Sequence, residues 1–99
     1  MDIRQLSEEM QRFVEAKGWT RSDSPRPQTP RNIATSLAIE AAEVLEHFQW
    51  EDRVIDRPEL AAELADVMLY LLQLASISGI DLEQAVLGKL KVNYDRTWD

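Results

Sequence analysis

Residues 58–78 read PELAAELADVMLYLLQLASIS, and the fold turns on how this stretch is read. Pro58 suits the first turn of a helix, where its missing N–H is not needed. Leu60, Leu64, Val67, Met68, Leu69, Leu71, Leu72 and Leu74 then spread around most of the helix circumference. A helix apolar nearly all round is buried nearly all round. Only one narrow stripe is polar: Glu59, Glu63, Asp66, Tyr70 and Gln73, at steps of four, three, four and three. On a solvated helix that stripe would be the wet face. Here the remaining surface is more apolar than one small chain can cover, so a partner subunit is expected over part of it.

Working back along the chain, Thr29-Pro30 is a helix entry with Thr as N-cap, and the helix is expected to run to about Trp50. Ile33, Leu37, Ala41, Val44, Leu45 and Phe48 gather into one apolar arc. Glu40 falls on the edge of that arc beside Ile33 and Val44, turned partly inward, while Glu43 lies further round near Ser36 and His47. The short connection through Glu51, Asp52, Arg53 and Asp56 makes the two helices an antiparallel hairpin. An earlier amphipathic helix, from about Asp2 to Lys17, carries Ile3, Leu6, Met10, Phe13 and Val14 on one stripe and stops at Gly18. Residues 18–29 hold Gly18, Pro25 and Pro27 among Ser22, Asp23 and Ser24, which reads as a loop. Beyond Gly79, Asp81 with Gln84 three residues on reads as a capping box for a fourth helix, from about Leu82 to Asn93. The class is all-α: four helices around a central antiparallel hairpin, in one domain over residues 1–99.

The chain of 99 residues has no cysteine, so it has neither disulfides nor thiolate chemistry, which fits a reducing compartment. It shows no signal core and no run approaching the roughly 18 apolar residues of a membrane span, so a soluble cytoplasmic protein is expected. The formal charge of −7 argues against nucleic acid polymers and anionic membranes as partners. It leaves room for a nucleotide held through a divalent cation.

The chemistry lies in two acidic doublets, Glu40-x-x-Glu43 and Glu63-x-x-Asp66, separated by nineteen residues. A three-residue step turns a helix by about 300°, which keeps both carboxylates of a doublet on one face. Four carboxylates aimed at one space repel each other and need a cation. An all-oxygen ligand set suits Mg²⁺, with Mn²⁺ as the alternative, and Mg²⁺ characteristically binds substrate phosphates in its remaining positions. The rival di-iron bundles use Glu-x-x-His steps, which are absent; the single histidine, His47, reads as a surface or supporting residue. With no Gly-x-x-x-x-Gly-Lys loop, phosphates must be held by metal and side chains, and the chemistry that follows is hydrolysis of a phosphoanhydride. Trp19 and Trp50 could stack on a base or simply pack; Lys89, Lys91 and Arg96 could meet an anion or complement a helix dipole. A non-catalytic helical module, its acidic stripe binding a basic partner or a structural cation, is the alternative.

At these residues the sequence resembles the MazG-like all-α nucleoside triphosphate pyrophosphohydrolases, and within them the short single-domain branch similar to dCTP pyrophosphatase. The resemblance rests on the two doublets, on Pro30-Arg31-Asn32, on the run from Ile39 to Phe48-Gln49-Trp50, on Glu63 to Tyr70, and on Ala85-Val86-Leu87 with Lys89 and Asn93. It implies Mg²⁺-dependent conversion of a (deoxy)nucleoside triphosphate to the monophosphate and pyrophosphate. It also implies Glu40, Glu43, Glu63 and Asp66 as the catalytic metal ligands. Trp19 and Trp50 would line the base pocket, Tyr70 would contact the nucleotide, and Lys89 and Asn93 would reach the phosphates. Gln28, Arg31, Asn32 and Arg96 complete the implied substrate contacts. The family association is a hairpin bundle between subunits, as a homodimer or a dimer of dimers. Three departures fall where substrate choice is made: Gln28 where related sequences often have His, a longer loop from Trp19 to Gln28, and an ending, Asn93-Tyr94-Asp95-Arg96-Thr97-Trp98, that keeps the basic residue and lacks Tyr-Pro.

Overall fold

The computed structural model describes residues 1–98, and every described element is helical: α1 (Ile3–Ala16), α2 (Pro30–Glu46), α3 (Arg57–Ile77) and α4 (Leu82–Asp95). Each helix begins on a side-chain cap that satisfies an otherwise orphaned amide. Asp2 accepts from the Gln5 amide at 2.8 Å while Gln5 Oε1 accepts from the Asp2 amide at 2.9 Å, a full capping box. Thr29 accepts from Asn32 N, and Asp56 accepts from Glu59 N one residue before α3. Asp81 accepts from Gln84 N at 3.1 Å. The reciprocal bond that would complete a box there is not among the hydrogen bonds of the described residues, so the full box belongs to α1 rather than to α4. Gly18 and Gly79, with φ of +72° and +68°, end α1 and α3 in the left-handed region that other residues occupy only with strain.

α2 stops four residues before Trp50, the end expected from the sequence. The amides of His47, Phe48 and Gln49 fall back on carbonyls three residues earlier, at 3.2, 2.9 and 3.3 Å, so the last turn tightens and the chain swings toward α3.

α2 and α3 pack along their length as the expected hairpin; α1 lies against α3, and α4 against α1. Met10, Val14 and Leu72 form the buried centre, with Ile3, Leu6, Trp19, Met68 and Leu82 packed around it. Leu72, 1% exposed, is the plug of this core. The ring of Phe13 meets Trp19 edge to face at 5.5 Å, tying the start of the loop to α1.

Within one chain α3 is not buried nearly all round. Only Leu72, Gln73 and Ala75 are buried, near its C-terminal end, whereas Leu64, Leu69, Leu71 and Ile77 remain exposed. α4 has no buried residue at all. By length and composition α3 is also long and apolar enough to cross a membrane, with a mean hydropathy of 1.6 over an 18-residue window. This corrects the expectation of no such run: Glu63, Asp66 and Gln73 interrupt the apolar residues too sparsely to lower the mean.

Candidate active site

The antiparallel hairpin sets His47 against Glu63 and places Ser36, one turn before Glu40, at the level of Tyr70, one turn beyond Asp66. Glu40 is half-buried and its Oε2 is wholly so, with no hydrogen-bond donor; Glu63 Oε2 is also buried without one. Burial first, then a hydrogen bond to the Glu43 carboxyl and the charges of Glu43, Asp66 and Glu63, push the Glu40 carboxyl up from 4.5 to about 7. The other three carboxylates of the two doublets therefore all act on Glu40. They converge in charge without closing to ligand distances: among the described residues no three His, Asp or Glu side chains stand as a group that could hold an ion.

His47, just beyond the end of α2, brings Nε2 to 2.5 Å from Glu63 Oε2, both side chains being about one-sixth exposed. The contact is close but lacks the alignment of a hydrogen bond, which is why that oxygen still counts as unpartnered. His47 thus takes the supporting place beside a doublet carboxylate, and its spacing of four from Glu43 is the sequence signal for it.

A cleft of about 420 Å³ opens where Ser36 of α2 and Tyr70 of α3 face each other, four residues before Glu40 and four after Asp66, and none of the four carboxylates lines it. Trp19, Gln28, Asn32 and Tyr70, all candidate substrate contacts, line it with Arg26, Thr35 and Ser36. Local bonds hold its rim: Asn32 Nδ2 donates to Pro27 O at 3.0 Å, and Gln28 Nε2 donates to Arg26 O at 2.6 Å. Gln73, the end of the polar stripe of α3, lies behind Gln28. A second cleft, of about 330 Å³ between α1, the end of α3 and the start of α4, contains none of the candidate residues.

The remaining candidates are not brought to the cleft within one chain. Trp50 is 87% exposed in the connection after α2. Arg31 is exposed on the first turn of α2, where its carbonyl accepts from Thr35 Oγ1. Lys89, Asn93 and Arg96 belong to α4 and its end, against α1 and away from the hairpin. Asn93 Oδ1 is buried with no partner, and the Arg96 guanidinium stacks 4.0 Å over the Trp98 ring.

A helical hairpin carrying paired acidic doublets beside a polar and aromatic cleft defines the class, and the MazG-like family model matches residues 35–97: the chain belongs to the MazG-like family. It is similar to mouse and human dCTP pyrophosphatase 1, 34% identical to each over 104 residues, which takes in 96% of this chain and 56% of theirs. The chain thus spans about half the length of these curated relatives. A 43-residue stretch is 40% identical to the dATP/dGTP diphosphohydrolase of cyanophage S-2L, covering 43% of this chain and 41% of that one. Among solved structures, a pyrophosphatase from Archaeoglobus fulgidus superposes with a TM-score of 0.77 at 34% identity, over 92% of this chain and 87% of its own.

Proposed function

We propose that the chain hydrolyses a (deoxy)nucleoside triphosphate to the monophosphate and pyrophosphate, with Glu40, Glu43, Glu63 and Asp66 holding Mg²⁺ or Mn²⁺. The observation that carries this reading is the convergence of the Glu43, Glu63 and Asp66 charges on Glu40, which together with burial raise its carboxyl. Glu40 Oε2, buried without a donor, and Glu63 Oε2, which has only the His47 imidazole beside it, are oxygens that suit a hard cation. A bound Mg²⁺ would supply charge neutralisation at phosphorus and lower the pKa of water near it.

The chain's own residues do the rest. Trp19 and Tyr70 offer aromatic faces to a base, and Gln28 and Asn32 offer amides to its edge. Ser36 and Tyr70 of the cleft stand one helical turn from Glu40 and Asp66, so a base seated there would extend its phosphates along the hairpin toward the doublets. Water adds to the α-phosphorus, the bond from that phosphorus to the bridging oxygen breaks, and its electron pair leaves with pyrophosphate. The proton lost by water is taken by a carboxylate of the site.

We further propose that a second copy of the chain covers the apolar surface of α3 and α4, as a homodimer or a dimer of dimers, in the cytoplasm. The exposed Leu69, Leu71, Val86, Leu87 and Leu90 support this association.

The test is a panel of dNTPs and NTPs assayed for pyrophosphate release with and without Mg²⁺. Release of orthophosphate instead, or undiminished activity in Glu63→Ala and Asp66→Ala, would sink the mechanism. Absence of both turnover and metal-dependent nucleotide binding would favour a non-catalytic helical module.

A further inference from the structure

Among the described residues, Gln73 is the buried polar side chain, 4% exposed, and it stands at the end of the stripe that runs through Glu63, Asp66 and Tyr70. Its Nε2 donates to Gln28 Oε1, 45 residues away in sequence. Every other side-chain hydrogen bond of the described residues joins neighbours no more than five residues apart. Gln28 lines the cleft and Gln73 does not.

The direction of this bond follows from the backbone. The Arg26 carbonyl can only accept, so the Gln28 atom 2.6 Å from it is the amide nitrogen. That puts Oε1 of Gln28 against α3, and only a donor from Gln73 can satisfy it there. The Gln28 carboxamide is held at both ends. What remains to the cleft is one N–H and one lone pair in a set order.

We propose that Gln73 is a specificity-determining positioning residue: its bond to Gln28 Oε1 locks the orientation of the Gln28 carboxamide at the cleft wall and so selects the hydrogen-bond polarity of the base edge. The inference rests on the cleft being the base pocket. Neither amide titrates, so the selection is independent of pH. Cytosine and uracil are the natural probes, because the amino group and bare N3 of one become a carbonyl and an N3–H in the other. Adenine and hypoxanthine repeat the exchange on a larger ring.

The experiment measures equilibrium binding of dCMP against dUMP, and of dAMP against dIMP, by quenching of tryptophan fluorescence with Mg²⁺ present. Monophosphates have no phosphoanhydride, so binding is read apart from turnover. Wild type is expected to prefer one member of a pair by about tenfold or more. Gln73→Met should bring that ratio within about threefold, since the Gln28 carboxamide, then held at one end only by the Arg26 carbonyl, can swing from the cleft wall and present either polarity. Gln73→Glu, an acceptor only, should reverse the preference by turning the Gln28 amide nitrogen toward α3. Should Gln73→Met fail to fold by circular dichroism, Gln73→Asn keeps an amide and retracts the donor, with the same expected ratio. A merely structural role would weaken both members equally and leave the ratio in place. That result, or a wild type that does not discriminate, overturns the proposal. Discrimination without any triphosphate hydrolysis would instead overturn the proposed activity and leave this inference standing.

Discussion

His47 Nε2 sits 2.5 Å from Glu63 Oε2, joining the exit of α2 to the first half of α3. The imidazole is the nearest nitrogen to a carboxylate oxygen that otherwise has no donor. It stands where a cation would relieve the same charge. His47→Leu should therefore cost the metal-free protein about 1–3 kcal/mol, the range for stripping a polar partner from a half-buried carboxylate. With saturating Mg²⁺ the loss should be smaller. Urea unfolding of both proteins with EDTA and with Mg²⁺ measures the difference, and an equal loss in both conditions would contradict it.

The raised Glu40 carboxyl ties stability to pH. Its folded pKa, about 7, lies above the ordinary 4.5, so its contribution is fully present below pH 4.5 and is lost as pH rises through 7. In EDTA, Glu40→Gln should be more stable than wild type at pH 8 and should lose the part of the pH slope between 4.5 and 7 that this group supplies. Urea midpoints at pH 5 and pH 8 provide the check; identical slopes would show that the group is not perturbed.

Cation binding to the native state alone should raise the melting temperature with Mg²⁺ concentration. At about one hundred times the dissociation constant the gain is about 2.7 kcal/mol. Asp66→Asn and Glu63→Gln should each blunt this rise, and scanning calorimetry across a Mg²⁺ series would read it directly.

Leu72 is the plug between α1 and α3. Leu72→Ala should cost about 2–5 kcal/mol through lost burial and the cavity left beside Met10 and Val14. Leu87→Ala on exposed α4 should cost far less in a dilute monomer, so the contrast separates the core from the surface assigned to association.

That surface makes its own prediction. Light scattering at micromolar concentration should show a dimer or larger species, and Leu90→Glu should shift it toward monomer by placing a charge in the contact. A wild-type monomer would remove the case for self-association.

Much of this was legible in residue order, because it depends on short-range rules. The caps at Asp2, Thr29 and Asp81, the stops at Gly18 and Gly79, and the hairpin between two apolar arcs follow from turn geometry and periodicity. The doublets were legible for the same reason: a step of three on a helix gives two carboxylates one face. The early end of α2 was not, since the tightened bonds of His47, Phe48 and Gln49 answer to where the chain must go next.

Sequence by itself determined an all-α chain with two acidic doublets, each on one face of its helix, since charge and helical period are properties of the residue string. Tertiary structure alone decided which residues meet across long separations: His47 with Glu63, Gln73 with Gln28, and the cleft that gathers Trp19, Asn32 and Tyr70 while leaving Trp50 and the α4 residues outside it. The first depends on how the chain turns from α2 into α3 and the other two on how the loop of residues 18–29 lies on the hairpin, and packing of distant segments has no period to read.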